Sequence, residues 1–327
     1  MRLEWETATL ALREPFRISR SVMDRREAVW VSVEHEGLRG HGEVVASRYR
    51  GLDVPRILAA LGGLTGFTSP EDLLDGLGSL PAGVRAGVDA AVHDLLGKRS
   101  GLPVYGLLGR ARPKVPTAYT IGLDQDPGTA AELVSRGFTL LKLKLGKEGV
   151  LERVAAARAA APDVRLLLDP NGAWTPGEAV RLLDGLVRFA VEAVEQPIPP
   201  GTPDDLARVS ARSPIPVVAD EDAATLEDVR RLAGAVHGVN VKLTECGGIR
   251  AAEEILRFAE GAGLDVLLGC QVGSSLGVAP AVHLAGAVRW ADLDGHLLLA
   301  GDPWTGLGGH DGTLRAGEAP GLGVRRV

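Results

Sequence analysis

From about residue 115 onward, short apolar runs recur at a near-constant interval, and each ends on a charged or thiol side chain. Taking one residue at each run's end, Lys144, Asp169, Glu195, Asp220 and Lys242 follow one another at intervals of 25, 26, 25 and 22 positions, with Cys270 and Asp292 continuing the series. Amphipathic stretches such as LERVAAARAAA, GEAVRLLDGLVRF and TLEDVRRLAGAV lie between the runs. That interval is the length of a strand, a loop, a helix and a second loop, and eight such strands suit closure into a (β/α) barrel. A doubly wound open sheet is the rival, but no glycine-rich dinucleotide turn follows an early strand.

The preceding hundred residues read differently. AVWVSVEHEGLRGHGEV alternates at Val29, Val31 and Val33 and turns at Glu36-Gly37, the pattern of an antiparallel hairpin. VRAGVDAAVHDLLGKRSG sets Val84, Val88, Ala91, Val92 and Leu95 on one helical face, with Gly101 as its stop. Strands followed by helices predict a small α+β unit. The expected organisation is a capping domain over residues 1–113, a barrel over 114–300 and a segment, 301–327, that returns to the capping domain.

Composition narrows the class. The chain of 327 residues is 45% hydrophobic and 24% charged, with a net charge of −6 that argues against a nucleic-acid surface. No apolar run approaches the roughly 18 residues of a membrane span, and MRLEWETATL lacks the form of a signal peptide, so a cytoplasmic protein is expected. Cys246 and Cys270 match no zinc spacing, and Cys270 reads as a small apolar side chain rather than a nucleophile.

In such a barrel the C-terminal strand ends converge on the active site. The polar residues there are Lys142 and Lys144, Asp169 with Asn171, Glu195, Asp220, Lys242, and Asp292 with Asp294. Turn chemistry alone explains any one of them. The set is harder to explain that way, because three carboxylates occupy three consecutive strands, with lysines on the strands before and after. Converging carboxylates repel unless a cation lies between them, and oxygen-only ligands favour a hard ion such as Mg²⁺. Lys144 and Lys242 would then stand on opposite sides of a bound substrate, suited to removing a proton from one face of a carbon and returning one to the other. The metal would hold a substrate carboxylate and stabilise the enolate formed on deprotonation. The metal and Lys142 would also favour the neutral amine of Lys144.

KLKLG, DPNGAW, EQP, ADED and VKLTECGG, in that order and spacing, resemble the enolase superfamily, in particular its muconate-lactonizing-enzyme-like subgroup and, within it, the dipeptide epimerases. The resemblance runs nearly end to end and implies a (β/α)7β modified TIM barrel with an α+β capping domain. It implies one Mg²⁺ per site, with Mn²⁺ as a substitute, held by Asp169, Glu195 and Asp220; Glu221 is the neighbouring alternative to Asp220. It implies Lys144 and Lys242 as acid and base, and Lys142 as the lysine that offsets charge around the substrate carboxylate. WADLDGHLLLAGDP resembles the DxD motif with which dipeptide epimerases hold an α-ammonium, so Asp292 and Asp294 are expected to bind substrate. AYTIGLD resembles the same branch and brings in Thr120; Asn171 and Gln271 complete the expected substrate contacts.

The resemblance breaks at Glu245, where many dipeptide epimerases carry a lysine, and at Gln271 and Gly273, where they carry methionine and glutamate. The capping loops PFRISRSVMDR and VVASRYRGL would set side-chain preference, with Arg20, Arg48 or Arg50 as partners for an acidic side chain. Trp174 and Trp304 are candidates for the mouth or for the core. The expected activity is Mg²⁺-dependent epimerisation of a dipeptide by 1,1-proton transfer, in a protein that binds neither nucleic acid nor membrane, with self-association into a homo-oligomer left open. o-Succinylbenzoate synthase, N-succinylamino acid racemase and cycloisomerase chemistry are alternatives on the same frame, since fold alone does not choose among them.

Overall fold

The computed structural model describes residues 1–18 and 21–327; Ser19 and Arg20, the latter a candidate substrate contact, lie outside the described residues. The chain opens with β1 (Arg2–Ile18), β2 (Ser21–His35) and β3 (Leu38–Val45), an antiparallel sheet in that order. Glu36 and Gly37, at φ 51° and 77°, form the expected tight turn, both in the left-handed region that a two-residue hairpin demands. Val29, Val31 and Val33 are buried on one face of β2. They pack under α1 (Val54–Gly62), α2 (Pro70–Asp75) and α3 (Ala82–Ser100). α3 presents Val84, Val88, Ala91, Val92 and Leu95 to that core and ends at Gly101, φ 69°. It lies directly on β3, where a Cβ at Gly40 or Gly42 would sit 2.0 Å from a backbone oxygen of the helix. The opposite face of the sheet, with Ala28 and Trp30, joins the barrel's core.

A short strand, β4 (Lys114–Pro116), leads into the barrel. β5 (Ala118–Ile121), β6 (Leu140–Lys144), β7 (Arg165–Asp169) and β8 (Ala193–Glu195) follow, then β9 (Val217–Ala219), β10 (Gly238–Lys242), β11 (Asp265–Gly269) and β12 (Trp290–Asp292). These eight strands form one sheet in sequence order, every hydrogen-bonded neighbour parallel. A helical segment follows each of the first seven, which is the (β/α)7β arrangement expected from the sequence. Hydrogen bonds join the ends of the sheet, among them Leu293 N–H donating to Thr117 Oγ1 at 2.9 Å and Thr120 N–H to Asp294 Oδ2 at 2.6 Å.

The strand period of two organises the barrel interior. One inward layer is Ala118, Leu140, Leu167, Ala193, Val218, Leu267 and Trp290, an apolar floor. Trp290 closes it, its indole N–H held by Glu192 Oε2 at 2.6 Å. Two residues further along, the same face turns polar on every strand but β11, which carries Gly269, and that step sets the depth of the site.

After β12 the chain runs back over the capping sheet. β13 (Trp304–Thr305) and β15 (Arg325–Arg326) pair with each other, and β14 (Thr313–Arg315) pairs with β4. Trp304 meets Trp30 edge-on at 5.9 Å between ring centroids, so it is a core residue. Trp174 is also buried, its indole N–H donating to Gly146 O at 2.9 Å. Among the described residues no helix is long and apolar enough to cross a membrane.

Candidate active site

Above the apolar floor stand Thr120, Lys142, Asp169, Glu195, Asp220, Asn240, Gly269 and Asp292, each two residues beyond its floor position or, on β10, beyond Gly238. Lys144 and Lys242 lie one further inward step out, at the ends of β6 and β10. Those two strands stand four positions apart in a closed sheet of eight, so the ammonium groups face each other across the mouth. β7, β8 and β9, carrying the three carboxylates, fill one side between them.

Each lysine already has a carboxylate partner. Lys144 Nζ donates to Asp169 Oδ2 at 2.5 Å, and Lys242 Nζ donates to Asp220 Oδ1 and Oδ2 at 2.7 and 2.6 Å. Lys142 is the hub, with its ammonium 2.6 Å from Glu195 Oε2, 2.8 Å from Asp292 Oδ2 and 3.1 Å from Asp169 Oδ2. Burial alone would lower its pKa; Asp292, Glu195 and Asp169 outweigh burial and hold it well above the usual lysine value. Lys242 is raised in the same way by Asp220 and Glu195, against the burial that would lower it. Asp169 shows the reverse balance, since burial would raise it but Lys144 and Lys142 hold it far below the usual carboxylate range.

The carboxylates still outnumber their cations. Three ammonium groups, on Lys142, Lys144 and Lys242, serve five carboxyl groups, on Asp169, Glu195, Asp220, Asp292 and Asp294. The excess shows in the pKa values. Glu195 is pushed up to about 7 by burial and by Asp169, and Asp294 to about 7 by burial and by Asp292. Asp220 is also raised, first by burial, while Lys242 pulls it down. Among the described residues no three His, Cys, Asp or Glu side chains stand close enough together to ligate one ion, and the lysines divide the carboxylates between them. The donor set nonetheless fits a hard divalent cation: it is all oxygen, it is buried, and it carries two more negative charges than positive ones when fully ionised.

Several residues that hold this arrangement carry no obvious signature in the sequence. Asn240 donates from Nδ2 to Glu195 Oε1 at 2.8 Å, fixing the central carboxylate from β10. Gly269 on the next strand gives it room, because a Cβ there would lie 2.5 Å from Asn240 Oδ1. Gln196, at φ 35°, accepts Asp220 N–H at 2.9 Å and donates to Asp222 Oδ2 at 2.8 Å, bracing the end of β9. Arg153 donates to the carbonyls of Lys144, Gln125 and Gly122 at 3.0, 3.0 and 2.5 Å, which pins the ends of β5 and β6 together. The polar residue two positions before Lys242, on the same strand face, was the one available sign of Asn240.

The remaining expected contacts fall at different distances from this centre. Thr120 Oγ1 donates to Asp292 Oδ1 at 3.3 Å, and its N–H holds Asp294, so Thr120 and both aspartates form one buried group. Asn171, at φ 46°, donates its N–H to Asp169 Oδ1 at 2.8 Å and thus orients a carboxylate. Gln271 Nε2 donates to Glu245 Oε1 at 2.9 Å, and Glu245 Oε2 is ion-paired with Arg50 of the capping loop. Arg48 is exposed. Cys270 is half-buried, and burial pushes its thiol pKa upward, away from nucleophile behaviour. The hairpin of β1 and β2 reaches the mouth as well, where Arg17 Nε pairs with Asp124 Oδ2 at 2.5 Å and Arg17 O accepts Leu123 N–H at 3.1 Å.

Residues 128–326 match the family model described as Enolase C-terminal domain-like. The chain belongs to the enolase superfamily. This member is 33% identical to the L-Ala-D/L-Glu epimerase of Bacteroides thetaiotaomicron, over 100% of this chain and 88% of the relative. It is 36% identical to an N-acetyl-D-glutamate racemase of a Pseudoalteromonas species, over 72% of this chain and 75% of that one. Among solved structures it resembles the dipeptide epimerase of Enterococcus faecalis complexed with Mg and L-Leu-L-Tyr, with TM-score 0.92, 32% identity and 99% of both chains covered. The barrel expected from the strand spacing is present in the fold, and the superfamily that the motifs resemble is the one the chain matches.

Proposed function

We propose that the protein is a Mg²⁺-dependent dipeptide epimerase that inverts the stereocentre beside the substrate carboxylate. The observation that carries this reading is the pair Lys144 and Lys242, at strand ends four apart around an eight-stranded barrel, with the acidic cluster along one side between them. The likeness to epimerases over the whole chain supports it.

Asp169, Glu195 and Asp220 would hold the metal, which when bound supplies positive charge to the substrate carboxylate and to the dianion it becomes. In one direction the neutral amine of Lys144 takes the α-hydrogen as a proton, and the C–H electron pair moves into the carboxylate to give an enediolate. The ammonium of Lys242 then delivers a proton to the opposite face of that carbon. The reverse epimer exchanges the two roles, so each direction needs one lysine neutral and the other protonated. Lys142 stays charged among its three carboxylates and offsets negative charge below the reacting carbon. Asp292 and Asp294 would receive the dipeptide's α-ammonium. Asp292 is paired with the Lys142 ammonium and Asp294 with the Thr120 N–H, and a further cation would offset the burial and repulsion that raise Asp294.

Racemisation of an N-acylated amino acid is a second reading, favoured by one observation. Asp292 and Asp294 already have partners in Lys142 Nζ and Thr120 N–H, so a substrate without an ammonium leaves neither bare. One experiment separates the two. Dipeptides and N-acyl amino acids are incubated with protein and Mg²⁺ in deuterated water and read by mass spectrometry. Exchange at the α-carbon of dipeptides is the expected result; exchange confined to N-acyl amino acids would replace epimerase by racemase, and exchange in neither would sink both.

A further inference from the structure

Between the capping loop and the two barrel loops after β10 and β11 stands a chain of three side chains: Arg50, Glu245 and Gln271. Glu245 is nearly buried, with 12% of its side chain exposed, and is held from both sides, by Arg50 at Oε2 and by Gln271 Nε2 at Oε1. Arg50 is the outer partner, with 37% of its side chain exposed, in an exposed turn beside the Tyr49 ring at 5.0 Å. The two partners therefore differ in what release costs them. Arg50 can swing into water at little cost, whereas Glu245 deprived of a cation would be a carboxylate left without its counter-charge in a nearly dry position.

The surroundings hold unused acceptors. Donation to Glu245 uses Gln271 Nε2, and Gln271 Oε1 is buried with no hydrogen-bond partner. Thr244 Oγ1, next to Glu245 in sequence, is likewise buried without one, and its hydroxyl can accept as well as donate. An incoming group that competes here succeeds by bringing positive charge and several N–H donors, which describes a lysine or arginine side chain. An acidic side chain would have to take Arg50 from Glu245 and leave two carboxylates competing for one cation.

We infer that Glu245 is a specificity-determining residue that selects a dipeptide bearing a cationic side chain, which displaces Arg50 from it. The inference rests on the epimerase reading and specifies its substrate class. For Arg50 it replaces the expected pairing with an acidic substrate side chain, because that guanidinium is already engaged by Glu245.

The test compares kcat/KM for L-Ala-L-Lys, L-Ala-L-Leu and L-Ala-L-Glu, together with L-Lys-L-Ala, in the wild type, Glu245→Gln and Arg50→Ala. The wild type is expected to prefer a lysine-containing dipeptide to the leucine one. Glu245→Gln should reduce that preference by about tenfold, the worth of one hydrogen-bonded charge. Arg50→Ala should keep or raise it. A preference for L-Ala-L-Glu that Arg50→Ala removes would overturn the inference and make Arg50 the selecting group. Turnover with no charge preference would overturn it too, while leaving the epimerase reading intact. Absence of turnover and of calorimetric binding for every dipeptide would overturn both.

Discussion

The protein buries carboxylates at the seam of cap and barrel and at the barrel mouth, and the balance of their partners differs: mainly backbone N–H groups at the first, mainly lysines at the second. At the seam between capping domain and barrel, Glu43 accepts Ser274 N–H at 2.9 Å and the Trp30 indole N–H at 2.8 Å, and Asp89 accepts Ile249 N–H at 2.6 Å. Asp94 accepts His41 N–H and Leu322 N–H, both at 2.8 Å, and is the one of the three that also meets a lysine, Lys98 Nζ at 2.7 Å. Glu43 and Asp89 each meet the start of a barrel helix, Ser275–Val282 and Ile249–Ala262, where backbone N–H groups lack helical partners. At the barrel mouth, Asp169, Glu195, Asp220 and Asp292 each meet a lysine ammonium group as well, beside the Thr120, Asn171 and Asn240 donors. A backbone N–H is fixed and cannot leave, so it gives a permanent joint. A lysine ammonium sits on a flexible stem and can lose or gain a proton, so it gives a joint that chemistry can use.

That contrast can be broken at the mouth first. Lys144→Ala or Lys242→Ala should lower epimerisation by 10³-fold or more, on the order expected for a positioned acid or base, in a stopped assay of dipeptide inversion. A chelator should abolish the same activity and Mg²⁺ restore it; retention of full activity in chelator would remove the metal from the account. Both effects should appear without loss of the folded state.

At the seam the effects should fall on stability. His283 is buried there; its Nδ1 accepts Tyr105 N–H at 3.1 Å and its Nε2 contacts Leu322 O at 3.1 Å, an arrangement that suits the neutral ring. Burial pushes its pKa down to about 4. Below pH 6.5 the unfolded chain binds a proton there that the folded chain does not bind until about pH 4. Its contribution is therefore present above pH 6.5 and is lost as pH falls towards 4, by roughly 3 kcal/mol. Denaturant titrations at pH 7 and pH 4.5 should show this loss, and it should shrink in His283→Gln. Asp89→Ala leaves the Ile249 N–H without its acceptor and should cost about 1–3 kcal/mol in the same titration. The smallest effect belongs to Arg17→Ala at the exposed hairpin contact with Asp124, under about 1 kcal/mol.

What the sequence made legible follows the same division. The strand period puts Lys142, Lys144, Asp169, Glu195 and Asp220 on one inward face, at even spacing from an apolar floor residue, and Lys242 at even spacing from Gly238. The Glu36-Gly37 turn and the buried face of α3 were equally readable, since both are local patterns. The parts that were not readable depend on contacts between distant segments. Asn240 looks like any polar residue in a strand until Glu195 is seen beside it, and Arg153 looks like a solvated helix residue until three carbonyls converge on it. Arg50 illustrates the limit most clearly: as an arginine in a capping loop it suggested an anionic substrate, and its partner proved to be a carboxylate of the protein itself.

The central claim is that Lys144 and Lys242 work on opposite faces of one carbon. Deuterium uptake at the α-carbon, followed separately for each epimer of one good dipeptide, tests it most directly. The wild type should label and invert both epimers. Lys144→Ala should still label the one epimer whose α-hydrogen faces Lys242, Lys242→Ala should label only the other, and neither variant should invert either. Inversion at the wild-type rate by either variant, or labelling of the same epimer by both, would contradict the two-lysine account.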